Sequence, residues 1–174
     1  METFTQTKDF VENPRFISDR KQVLTDLEME AIDEPIRDII LNMNKLPFCF
    51  TLQCCYGHFV WDAHQDAHNF NTLPPYIPGQ IRYRIAYMAF CIENNPKGAA
   101  FRDALARIPD MDRDYVQFGS AHWFWERHLN SFVLQVEPKR FQDKDEAWVE
   151  WEEAQKLEKI RSIFFEKLRV LQPL

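Results

Sequence analysis

The chain of 174 residues is long enough to bury a sizeable core, and 45% hydrophobic against 28% charged residues excludes disorder as its resting state. A formal net charge of −6 argues against broad non-specific binding to nucleic acid while leaving room for a local basic groove. No stretch approaches the ~18 apolar residues of a membrane span, the N-terminus lacks the pattern of a signal peptide, and four cysteines set in or beside apolar runs suit a reducing cytoplasm.

In chain order, residues 1–12 read as a disordered tail. Asn13-Pro14 then reads as a cap and first-turn proline for a helix carrying Phe16, Ile17, Val23, Leu24 and Leu27. A second start at Asp33, with Pro35 in the first turn, precedes Ile36, Ile39, Ile40 and Met43 at helical spacing. Phe48 to Leu52, bounded by Pro47, is a strand, and Phe59-Val60-Trp61 resumes a second one after Gly57. Residues 62–80 form a long proline-rich loop, of the kind that is usually functional or mobile.

Ile81 to Ile92 is the clearest strand, with Arg82 and Arg84 on one face and Ile81, Tyr83 and Ile85 on the other. Asn95-Pro96 caps a helix that buries Phe101, Leu105 and Ile108. Tyr115–Phe118 and Phe132–Val136 are two further strands, and Asp143 or Asp145 opens a final helix with Trp148, Trp151, Leu157, Ile160, Ile163, Phe164 and Leu168 inward. Glu146, Glu150, Glu152 and Glu153 read as its solvated surface. The expected order is ααββ(loop)βαββα within residues 1–174, an α+β fold with a mixed sheet covered by helices and no second domain.

Two segments concentrate chemistry. From Thr51 to His58 a strand delivers hydroxyl, thiols, phenol and imidazole to a turn around Gly57, which can adopt positive φ and admit a ligand to the backbone. The bland alternative is a tight turn with two buried cysteines. Cys54, Cys55, His58, His64 and His68 fall within fifteen positions, and thiolates with imidazoles suit zinc. Adjacent cysteines seldom share one ion, however, and no Cys-x-x-Cys occurs, so no metal set is assigned. Cys55 with His58 also fits a nucleophilic pair, but no partner that would orient the imidazole is identifiable.

The second segment, Gly119 to Asn130, holds Trp123, Trp125 and Arg127: indoles that stack purines or attract a sulfonium, and a guanidinium suited to phosphate or carboxylate. Core packing is the plainer role for any single ring. Arg82 and Arg84 with Lys139 and Arg140 outline a basic strip, or else the solvated face of a strand.

The series Phe16, Lys21, Leu24, Leu27, Asp33, Ile36, Asn44, Leu46, followed by Phe50-Thr51-Leu52-Gln53-Cys54-Cys55-Tyr56-Gly57-His58, resembles the start of the tRNA wybutosine-synthesising protein 3 family. Its strand ends in Thr-Thr-Ser-Ser-Cys-Ser-Gly-Arg, which Thr51, Cys55 and Gly57 match in place. The detailed match covers a third of the chain. The resemblance implies a cytoplasmic methyltransferase of tRNA processing that uses S-adenosylmethionine on a hypermodified guanosine. Thr51, Cys55, Gly57 and His58 would line its site, with Trp123 and Arg127 adding stacking and charge. Gln53, Cys54 and Tyr56 replace serines of that motif, and His58 replaces an arginine, removing a permanent charge and a planar fork of donors.

Two classes therefore stand open. One is a methyltransferase-like enzyme acting on a small molecule or tRNA nucleoside. The other is a non-catalytic ligand- or protein-binding domain, as a homodimer, that keeps the fold without the reaction.

Overall fold

In the computed structural model, which describes residues 4–66, 70–142 and 144–171, β1 is Phe4–Thr5, α1 Phe16–Thr25, α2 Arg37–Asn44, β2 Cys49–Cys55 and β3 His58–Val60. Then follow β4 Ile81–Arg84, β5 Ala86–Ile92, α3 Pro96–Leu105, β6 Val116–Ala121, α4 His122–Arg127, β7 Ser131–Val136, β8 Glu146–Val149 and α5 Trp151–Val170. The fold is α+β. Instead of one mixed sheet there are two, ordered β1-β6-β7-β5-β2 and β3-β4-β8, and every ladder is antiparallel. The expected strand Ile81–Ile92 divides at Ile85, where one run of chain passes from the small sheet to the large one. The Ile85 N–H donates to the Asp145 carbonyl at 3.3 Å, one step beyond the Arg84–Glu146 pair of the small sheet.

The large sheet has two unlike faces, set by strand alternation. Ala86, Met88, Phe90 and Ile92 of β5 enter the main core with Leu134 of β7, beneath Ile39, Ile40 and Met43 of α2 and Leu157, Phe164 and Leu168 of α5. Tyr87, Ala89 and Cys91 point the other way. There α1 covers Cys91 and Phe50 with Phe16, and α4 covers Ala89 and Val133 with Phe124. Among the described residues, no helix covers the rest of that face.

Strand β2 departs from regularity once. Thr51 pairs with Phe90 and Gln53 with Ala89, so Leu52 is an extra residue, a β-bulge. Side chains alternate, so one inserted residue reverses the facing of everything after it. Gln53 and Cys55, partnered with Ala89 and Tyr87, therefore lie on the uncovered face, and Cys54, partnered with Met88, turns toward the core.

Several expectations are corrected. Residues 4–12 do not form a loose tail: β1 pairs with β6, the Phe10 ring meets Phe132 at 5.4 Å, and the Val11 N–H donates to the buried Asn130 side chain at 2.9 Å. The first helix starts at Phe16, not at Pro14, with the Asn13 carbonyl accepting from the Phe16 N–H. The last helix starts at Trp151, because the chain after Asp145 first runs as β8 against β4; Asp143 lies outside the described residues. Trp148 is consequently half exposed on a strand, and Ile163 is half exposed on α5. Glu146 belongs to β8, and Glu153 is no free surface carboxylate, since it pairs with Arg140 at 2.7 Å and accepts from the Tyr115 hydroxyl at 3.0 Å. Part of the 62–80 loop lies on α5: Glu158 accepts from the Leu73 N–H at 2.8 Å, and Trp151 Nε1 donates to the Pro74 carbonyl at 3.3 Å.

Asn44 closes α2 onto β2. Its Oδ1 accepts from the Thr51 N–H at 2.9 Å and its Nδ2 donates to the Thr51 hydroxyl at 3.0 Å. Asn44→Ala orphans both groups and should lower unfolding free energy by about 2 kcal/mol in urea titration; an unchanged midpoint would contradict the clamp.

Candidate functional site

The uncovered end of the large sheet forms the floor of a cleft of about 780 Å³, well within the usual span for small-molecule sites. Gln53 and Cys55 of β2, Tyr87 of β5 and Gln135 of β7 supply the floor. Trp123 and Phe124 of α4, with Phe4, form one wall. The opposite rim comes from the handover between the sheets and carries Arg84, Lys144, Asp145 and Glu146. Both signs of charge thus stand along one edge, and aromatic rings along the other.

The two segments singled out in the sequence meet here, through Cys55 on one side and Trp123 on the other. The remaining candidates are placed differently. Thr51 is buried on the core face of β2, ahead of the bulge, with its hydroxyl engaged by Asn44. Arg127 lies behind Trp123, its guanidinium 3.9 Å from the indole centroid and its Nη1 donating to the Trp123 carbonyl at 2.8 Å. It holds the indole in place and does not line the cleft. Of the basic strip, Arg84 alone reaches the cleft. Arg82 faces Glu146 at 3.8 Å, and Arg140 is taken by Glu153.

The turn beneath Cys55 is built tightly. Gly57 has φ +89°, and a Cβ there would approach the Ala86 Cβ at 2.9 Å and the Tyr83 hydroxyl at 3.0 Å, so only glycine fits. Its N–H donates to the Cys55 Sγ at 3.4 Å, and its carbonyl accepts from Arg161 Nη1 at 2.7 Å. Arg161 is buried, with its guanidinium 4.2 Å from the Tyr56 ring centroid and 5.1 Å from that of Phe59, and has no ion pair among the described residues. A buried cation thus clamps the turn through a carbonyl and two aromatic faces.

His58 is buried and faces Asp33, Nε2 to Oδ2 at 3.2 Å. The same Asp33 oxygen accepts from the Tyr56 N–H at 2.7 Å. The ring of Phe70, from the long loop, rests 5.5 Å from His58 and 5.8 Å from Tyr56. Burial alone would push His58 down. Hydrogen bonding to Asp33 and Cys55, with the charge of both, outweighs it and lifts the imidazole to about 9. The neighbouring Cys54 thiol is also raised, and so made less reactive: burial, then Asp33 and Cys55, pushes it up to about 12. Cys49 and Cys91 are likewise raised by burial, and all four cysteines are free thiols.

Asp33 is the residue that sequence reasoning passed over as functional. It reads as the start of a helix, and it does precede a turn of 3-10 helix at Glu34–Ile36, but its side chain makes no capping bond and reaches to the 55–58 turn instead. Of the histidines proposed for a metal, His64 sits in the following loop in an isolated bridge with Trp61, and His68 lies outside the described residues.

No family model matches the chain, and no curated protein matches it. Its fold is similar to that of the PH1069 protein from Pyrococcus horikoshii, with a TM-score of 0.50 and 13% identity over 89% of this chain and 93% of that one. A likeness at that identity is one of fold.

Because His58 titrates higher folded than unfolded, it stabilises the fold fully below pH 6.5, and that contribution is lost as pH rises through about 9. In chelator-treated protein, NMR should therefore find His58 titrating near 9. Asp33→Asn should bring that titration down by about one pH unit or more. A His58 that titrates at the ordinary value in the parent protein would contradict the arrangement.

Proposed function

We propose that this chain is a methyltransferase-like enzyme that takes S-adenosylmethionine and a nucleoside, carried in tRNA, into the cleft between the two sheets. The observation that supports this reading is the convergence of Gln53 and Cys55 with Trp123 and Phe124 on one cavity of about 780 Å³. The first of these segments, ending in Cys55, is the one through which the chain resembles the wybutosine-synthesising family.

The lining suits the cofactor group by group. Arg84 and Lys144 match a carboxylate. Asp145 and Glu146 match an ammonium and ribose hydroxyls, and the rings of Trp123, Phe124 and Tyr87 match a purine and a sulfonium. When bound, S-adenosylmethionine supplies an activated methyl group, and little covalent chemistry is left to side chains. The residues here would act by position: aromatic walls exclude water, charged rim groups fix orientation, and the rigid 55–58 turn holds the floor still. Four free thiols accord with a reducing cytoplasm, and no helix among the described residues is long and apolar enough to cross a membrane.

A second reading is favoured by His58. The side chain that stands where the family motif has arginine is turned away to Asp33, so it brings no cation to the cleft. A ligand-binding domain without turnover would bind the same molecules and transfer no methyl group.

Calorimetry and a methyl-transfer assay together decide between the readings. S-adenosylmethionine or S-adenosylhomocysteine should bind one to one, and Trp123→Ala should weaken binding roughly tenfold, the loss of one stacking contact. Binding with no methyl transfer to tRNA would favour the second reading, and no heat with either compound would rule out the first.

A further inference from the structure

Beneath the cleft, three donors with different places in the sequence come together: Asp33 ahead of α2, Cys55 at the end of β2 and His58 at the start of β3. One ligand atom from each, carboxylate oxygen, thiol sulfur and imidazole nitrogen, lies within 4.8 Å of the other two. We propose that Asp33, Cys55 and His58 bind a borderline-soft divalent cation, zinc foremost, leaving a fourth coordination position open toward the cleft.

The donor set is that of zinc, which accepts thiolate, imidazole and carboxylate together. The geometry is close to that of a bound ion. His58 Nε2 and Asp33 Oδ2 stand 3.2 Å apart, and nitrogen and oxygen ligands on a tetrahedral zinc with bonds of about 2.0 Å are separated by roughly 3.3 Å. Thiolate and carboxylate together carry two negative charges against the cation's two positive.

The outer shell is in place as well. The Gly57 N–H aims at Cys55 Sγ at 3.4 Å and the Tyr56 N–H at Asp33 Oδ2 at 2.7 Å, so both anionic ligands are oriented by backbone donors. Gly57 cannot swing away, because Arg161 holds its carbonyl from behind. Phe70 and Tyr56 supply an apolar cover beside His58.

Three protein ligands with one open position is the pattern of a reactive zinc site and not of a closed structural one. Of the three donors Cys55 lines the cleft, and through it the proposed cation would border the space where a ligand atom lies. A cation there could hold an oxygen or nitrogen of the bound substrate and lower its proton affinity. The structure also settles the choice among the cysteines. The bulge at Leu52 sends Cys54 to the opposite face, so the adjacent pair contributes one ligand and not two.

This inference is independent of the cofactor assigned to the cleft, and its test uses neither S-adenosylmethionine nor activity. The chelator-treated full chain is titrated with cobalt(II) and, by calorimetry, with zinc. Expected are one bound equivalent and a near-ultraviolet thiolate-to-cobalt absorption, abolished by Cys55→Ser and kept by Cys54→Ser, with Asp33→Asn weakening zinc at least about tenfold. Circular dichroism checks that the variants fold. On the unsubstituted chain, zinc should also slow alkylation of Cys55 by iodoacetamide, read by peptide mass spectrometry. Failure to bind either metal, loss of the absorption on Cys54→Ser to the same extent as on Cys55→Ser, or alkylation of Cys55 at an unchanged rate would overturn the site. Zinc binding with no S-adenosylmethionine binding would sink the proposed methyltransferase alone.

Discussion

Strand β2 carries one residue more than its partner β5 can match, and the extra residue, Leu52, reverses the facing of everything that follows it. Before the bulge, Cys49 and Thr51 face the helices and Phe50 faces α1. Without it, Cys54 would continue onto the uncovered face and Cys55 would enter the core. With it, Gln53 and Cys55 become floor residues of the cleft, and Cys54 is left beneath Met88. The turn that follows inherits this placement. Gly57 and His58 reach Cys55 and Asp33 only because the strand arrives there in this register.

The second constraint is the handover at Ile85. One run of alternating residues serves two sheets, and the angle between them opens the space that the large sheet's helices do not fill. Arg84, on the β4 side, and Tyr87, on the β5 side, consequently face one cavity from different sheets. Arg161 of α5 ties this junction to the main core. It reaches from the buried helix face to the Gly57 carbonyl, between the rings of Tyr56 and Phe59. Removing one partner of such a buried charged contact is far more damaging than the contact's net contribution suggests, since the other is left without solvent or partner.

Much of this was legible in the sequence wherever the signal is local. Helical spacing found Ile36, Ile39, Ile40 and Met43, all buried, and Asn95 caps α3 as its residue type implies, accepting from the Gly98 N–H at 2.8 Å. What was not legible depends on partners distant in the chain. β8 reads as the first turn of a helix because Glu146 to Val149 has no strand signature apart from its pairing with β4. β1 is two residues long and exists only against β6. The bulge leaves no residue-level mark, since Leu52 is an ordinary strand residue. Likewise the role of Asp33 follows from a turn twenty-odd positions later, where its carboxylate meets Tyr56 and His58. The location of the site, at Cys55 and Trp123, came from dense functional groups. Its inner partners came only with the fold, and Thr51 and Arg127 proved to support neighbours instead of lining the cavity.

The bulge presents one of two adjacent cysteines to the cleft, and thiol labelling of the native, metal-free protein measures directly which one. A small alkylating reagent followed by peptide mass spectrometry should modify Cys55 before Cys54, whose thiol is held up to about 12, and before the buried Cys49 and Cys91. Labelling of Cys54 ahead of Cys55 in the folded protein would place the register one residue away and dismantle the cleft described here.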